Sequence, residues 1–99
     1  MSKIRTGKYE IIHKNAIADL GCMLCLEIYG KWVPAQIHHI RTGQGMSQRA
    51  EDFLAIPLCP DCHQGPQGIH GDRSLLKVVK MTELDLLAKT IEELWKHQW

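Results

Sequence analysis

Two Cys-x-x-Cys pairs, Cys22/Cys25 and Cys59/Cys62, are separated by residues 26–58 and constrain this chain more than any other feature. Each pair offers two thiolates on one tight turn, and four thiolates so paired suit a tetrahedral Zn²⁺ with Zn–S distances near ~2.3 Å. One ion then joins segments distant in sequence, with a substantial piece of structure looped out between them. No thioredoxin-like βαβ pattern surrounds either pair, which argues against redox dithiols. Four thiolates leave no ligand position open for water or substrate, so the expected zinc is structural.

Such a staple matters because the chain has only 99 residues. One domain is expected, and a domain of that size hides only about 60–70% of the surface its unfolded chain exposes. A structural zinc contributes on the order of 10 kcal/mol to folding, comparable with the whole stability of a small domain. The composition, 44% hydrophobic and 23% charged, excludes a disordered tail.

The net charge is +1, but it is unevenly spread. Residues 1–50 carry seven Lys/Arg against three Asp/Glu, and residues 51–99 carry five against eight, giving +4 and −3. A basic half can face a polyanion, although chance asymmetry explains the split equally well. Residues 1–8 lack the apolar stretch of a secretory signal, and no apolar run approaches the roughly 18–20 residues of a membrane helix. The expectation is a cytoplasmic protein with no membrane partner, in a reducing compartment where cysteines serve metal rather than disulfides.

Residues 1–8 read as a basic arm and 9–99 as the domain. Tyr9 to Leu20 has helical period, with Tyr9, Ile12, Ala16, Ile17 and Leu20 on one face and Gly21 as the stop. Ala35–Ile40 and Phe53–Leu58 read as short strands, with Pro57 marking an edge or an end. The stretch from Arg41 to Asp52, with Gly43, Gly45 and Ser47, reads as a loop. Asp72 caps a short helix through Lys80. Thr82 caps a longer one whose expected buried face is Leu84, Leu87, Ala88, Ile91, Leu94 and Trp95, supported by the pairs Asp85/Lys89 and Glu92/Lys96.

The histidines are the second signal. His13 and His97 fall on helix surfaces and read as solvated residues. His38 and His39 end the first strand, His63 adjoins the second cysteine pair, and His70 lies in Gly68-Ile69-His70-Gly71. The zinc holds His63 in place and the strands bring His38-His39 back toward it, a cluster of imidazoles suited to a second metal. Strand alternation sends His38 and His39 to opposite faces, so both reach one phosphate only if the strand ends or twists there.

Taken together, Cys-x-x-Cys, then Ile37-His38-His39-Ile40, then Pro57-Leu58-Cys59-x-x-Cys62-His63 resembles the HNH nucleases that carry a four-cysteine zinc. The stretches His38-His39-Ile40-Arg41-x-Gly43-Gln44-Gly45 and Gly68-Ile69-His70-Gly71 are most similar to phage and prophage recombination-enhancement (Ref-type) members. The resemblance spans roughly residues 10–95. It implies an α+β fold of the ββα-metal (His-Me finger) type with flanking helices, and a metal-dependent DNA endonuclease of low sequence specificity. It also implies roles: His38, His63 and His70 at or near a catalytic divalent metal, and His39 as general base. Mg²⁺ or another divalent ion is expected there, imidazoles suiting Mn²⁺, Ni²⁺ or Zn²⁺ better.

Arg41, Arg49 and Arg73 flank this site and either grip DNA phosphates or form a solvated loop face. A recombinase filament is a further partner consistent with the resemblance. The family's middle Asn position is Leu54 here, and the only Asn is Asn15. Another group must therefore orient the base, with Gln44 or a backbone carbonyl as candidates. The competing expectation is a non-catalytic zinc module that binds DNA or protein, which explains the cysteines but not the histidines.

Overall fold

The computed structural model describes residues 7–45, 48 and 50–98. Arg49 and most of the expected basic arm lie outside the described residues. Within them the chain is a small α+β unit: α1 (Lys8–Leu20), α2 (Met23–Tyr29), β1 (Gln36–His39), β2 (Ala55–Leu58), α3 (Pro60–Gln64), α4 (Ser74–Val79) and α5 (Glu83–Gln98). Among the described residues no helix is long and apolar enough to cross a membrane.

Both cysteine pairs open helices, for a shared reason. Cys22 and Cys59 sit in extended backbone at the N-caps of α2 and α3, so the second cysteine of each pair falls in the first turn beside the first. The Cys22 thiol itself caps α2 by accepting from the Cys25 amide at 3.3 Å. Gly30, at φ 64°, ends α2 in the left-handed region that a side chain disfavours.

Between the two pairs runs an antiparallel hairpin in which Ile37 faces Pro57, His38 faces Ile56 and His39 faces Ala55. A two-stranded sheet has only edges, which is how Pro57 is accommodated. β2 is buried throughout, and Met23, Leu24, Ile56, Leu58, Ile69 and Leu86 pack around the four cysteines in one core.

Two helix faces differ from the periodicity reading. In α1, Tyr9 and Ile12 are exposed, and the helix turns Glu10 and Ile17 inward. In α5, Leu84, Ile91 and Trp95 are exposed, while Glu83, Leu86, Leu87, Thr90 and Glu93 are buried. The buried polar groups have partners, which removes the penalty that a hydrophobicity pattern assumes. Thr90 donates its hydroxyl to the Leu86 carbonyl, and Glu93 meets Lys96 and Lys89.

Of the expected pairs, Glu92–Lys96 forms at 3.8 Å, but Lys89 turns to Glu27 at 2.8 Å. Asp85 instead completes a capping box, exchanging hydrogen bonds with Thr82. Asp72 does act at the start of α4, accepting from the Ser74 amide.

Candidate metal centres

The four thiols lie 1–7% exposed inside the core. One sulfur from each lies within 4.8 Å of every other, and the Cys25 Sγ is 3.7 Å from Cys59 Sγ and 3.9 Å from Cys62 Sγ. Ligands on a tetrahedron with arms of ~2.3 Å stand about 3.8 Å apart, so the cluster fits an ion such as zinc. Its electrostatics call for one. Hydrogen bonding from the Cys62 thiol, with help from the Cys59 and Cys25 amides, lowers Cys22 to about 5 against the cost of burial. Burial and the neighbouring Cys22 thiolate push Cys25 up to about 12. The Cys62 thiol is likewise pushed up, because it donates to Cys22 and is buried. Only a cation lets all four ionise together.

A second cluster joins His38, His63 and His70. Their ring centroids are 4.8–5.1 Å apart, and one ring nitrogen of each lies within 4.8 Å of the others. His38 comes from β1 and His63 from α3. His70 is folded back onto α3 by two backbone bonds, Ile69 N–H to Cys62 O at 2.8 Å and His70 N–H to His63 O at 3.1 Å. This close return explains the glycines around His70. A Cβ on Gly68 would stand 2.6 Å from the Cys62 carbonyl oxygen, and one on Gly71 would strike the Pro66 carbonyl.

Each of the two inner imidazoles is held from behind. His38 Nε2 meets the Glu83 carboxylate at 2.5 Å, and His63 Nδ1 meets Gln36 Oε1 at 3.0 Å. Carboxylate and amide oxygens only accept, so those nitrogens carry the protons. The lone pairs are left on His38 Nδ1 and His63 Nε2. Burial lowers the pKa of His38 despite the opposing pull of Glu83, and burial with neighbouring imidazoles lowers that of His63. The His38–Glu83 contact is therefore a hydrogen bond from a neutral ring, the form that ligates metal.

Glu83 is the hub. It is buried, which opposes ionisation, yet its carboxyl is held down to about 2 by donors. These are the Thr42 hydroxyl at 2.7 Å, His38, and the amides of Arg41 and Thr42 at 2.8–2.9 Å. One acid on α5 thus orients an imidazole on β1 and fastens the loop that follows.

His39 does not join this group. Alternation carries it to the other side of β1, where its Nε2 meets Asp52 Oδ1 at 2.8 Å, with Lys14 3.6 Å from the same carboxylate. The proton again belongs on Nε2, leaving Nδ1 as the basic atom. The orienting group is therefore Asp52, rather than Gln44 or a backbone carbonyl. Leu54 contributes its carbonyl to the Ile40 amide.

Arg41 closes its own loop, donating to the Gln48 carbonyl at 2.6 Å, and Arg73 donates Nε to the Ile69 carbonyl. His13, expected to be solvated, is partly buried and packs on Phe53 with ring centroids 5.0 Å apart. His97 is exposed beside Glu93, 3.5 Å away.

A concavity of about 620 Å³ lies over the thiol side between Tyr29, Lys31 and Pro66. The residues that sequence reasoning missed are Glu83, Asp52 and Gln36. Only Gln36 carried a signal, since it stands on the same strand face as His38. Compared with known proteins, the chain matches no family model, no curated protein and no solved structure.

Proposed function

We propose that this protein is a divalent-metal-dependent DNA endonuclease of the HNH, ββα-metal kind, with a four-thiolate zinc as its scaffold. The observation that carries this reading is the convergence of His38, His63 and His70 with lone pairs free, closed behind by Glu83 and Gln36 and open at the exposed His70. A divalent ion bound there supplies positive charge against the scissile phosphate and the departing oxygen.

The chain's own residues do the rest. His38 and His63, with tautomers set by Glu83 and Gln36, present Nδ1 and Nε2. His70 closes the set from the Gly-flanked loop that is folded back onto α3. His39, kept protonated at Nε2 by Asp52, is the base for the attacking water through Nδ1 at the last residue of β1, the one place where water can be shared between the two faces of the strand. General-base help of this kind contributes roughly 10²–10⁴-fold. Asp52 is in turn charge-matched by Lys14.

One observation favours the second reading, a non-catalytic metal-stabilised module that binds DNA or protein: His39 faces Asp52 and not the other three rings. The experiment that separates the readings is plasmid nicking with Mg²⁺ or Mn²⁺, with and without a recombinase filament. The nuclease reading expects His39→Ala to lose at least 10²-fold in rate with zinc content and fold intact. Full activity in that variant removes His39 from the mechanism, and inactivity of the unaltered protein under every condition leaves the binding module.

A further inference from the structure

Helix α4 carries a cation at each boundary and one within, and no acid. Arg73, Lys77 and Lys80 line a groove of about 420 Å³ together with Thr42, Thr82 and Glu83. All three cations are exposed, and among the described residues none is in an ion pair. The nearby acids are already engaged. Glu83 is surrounded by its donors, and Asp72, which acts on Lys77 through space, accepts from the Ser74 amide. Three cations against the ionised Glu83 in the lining and Asp72 nearby leave the groove net positive.

The backbone marks the same two ends. Arg73 (φ 63°) and Lys80 (φ 55°) are the two non-glycine residues in left-handed backbone among those described. That conformation is unfavourable for a side chain, and here it bends the chain sharply on either side of α4 so that both flanking cations line one groove. The groove shares one residue with the support of the imidazole cluster: Glu83 lines it together with Thr42, and the same carboxylate holds His38 from behind.

We propose that this groove is a subsite for the sugar-phosphate backbone of duplex DNA, with Arg73, Lys77 and Lys80 each neutralising a phosphate. The proposal rests on the nuclease reading for its choice of ligand and adds a binding track to it. The spacing suits a strand rather than a single small anion. Arg73 to Lys80 is seven residues, about 10 Å at the helical rise of ~1.5 Å, and each DNA strand offers a phosphate every ~3.4 Å of axis. Cations strung along a line meet successive phosphates, whereas a lone phosphate calls for donors that converge on a point.

The test is the salt dependence of duplex binding by the full chain, measured without added divalent ion, for the unaltered protein and for Lys77→Gln/Lys80→Gln. A charge-matched control, Lys31→Gln/Lys96→Gln, removes two lysines outside the groove. The groove variant is expected to bind at least 10-fold more weakly at moderate salt and to lose about two from the slope of log K against log salt, while the control keeps its slope. In nicking assays the groove variant's loss appears as a raised KM.

An unchanged slope in the groove variant, or an equal loss in the control, overturns the groove. So does tighter, lysine-dependent binding of duplex RNA than of DNA. Lysine-dependent DNA binding without nicking keeps the groove and defeats the nuclease reading. Nicking with a groove variant that binds normally does the reverse.

Discussion

The thiol cluster and the imidazole cluster differ in how the fold surrounds them. The four thiols are 1–7% exposed, embedded in apolar side chains and in contact with one another. The imidazoles form a gradient, from His38 at 2% through His63 at 9% to the exposed His70, and the inner two are gripped from behind by polar groups. A site closed on every side can hold an ion and nothing else. A site closed on one side can hold an ion and also meet a ligand. The pairing of a sealed cluster with an open one, joined through the adjacent residues Cys62 and His63, is the physical basis for separating scaffold from chemistry.

The sharpest way to break that contrast is to damage the sealed cluster. Cys59→Ser is expected to release the thiol-bound metal and unfold the chain, because an ion contributing on the order of 10 kcal/mol exceeds what so small a core can replace. Metal content and circular dichroism check this. A folded, metal-free variant would move the thiols out of the scaffold.

Damage to the open cluster should be smaller and local. Glu83→Gln keeps the shape but weakens the grip on His38, and it is expected to loosen the second metal by roughly 10–100-fold while the thiol-bound ion stays. Gln36→Ala, which removes a neutral partner from the less buried His63, is expected to cost less than that. Isothermal titration with Mn²⁺ measures both, and equal effects of the two variants would mean that the charge on Glu83 has no special part.

The sequence made one cluster plain and half of the other. Cysteine spacing is a covalent-scale signal: two thiols three residues apart fall together on any helix start, so the four-thiol cluster was legible before the fold. The return of β1 to the thiol-fixed α3 made His38 legible beside His63, but the same reading counted His39 with them, and His70 entered only through the family resemblance. The glycines around His70 are explained by close backbone return. Glu83 and Asp52 were not legible. An acid on an amphipathic helix normally faces water, and Glu83 is 45 residues from the ring it orients.

The same cause misplaced the α5 face. The apolar period pointed to Leu84, Ile91 and Trp95, while the fold spent the inward positions on Glu83, Thr90 and Glu93, whose partners come from elsewhere in the chain or from the preceding turn. In α1 the inward turn of Glu10 similarly displaced Tyr9 and Ile12. Hydrophobic period reads burial correctly only where burial is apolar.

The most direct test of the account is to count metal and activity together in the unaltered protein. Mild chelation that strips the weaker site, followed by titration with Mn²⁺ and a plasmid-nicking assay at each point, should show one retained zinc per chain. Nicking should be absent at that stage and return in step with a second equivalent of metal. A protein that holds one zinc, binds no second ion and nicks DNA under none of these conditions contradicts the account, as does nicking at full rate with the second site empty.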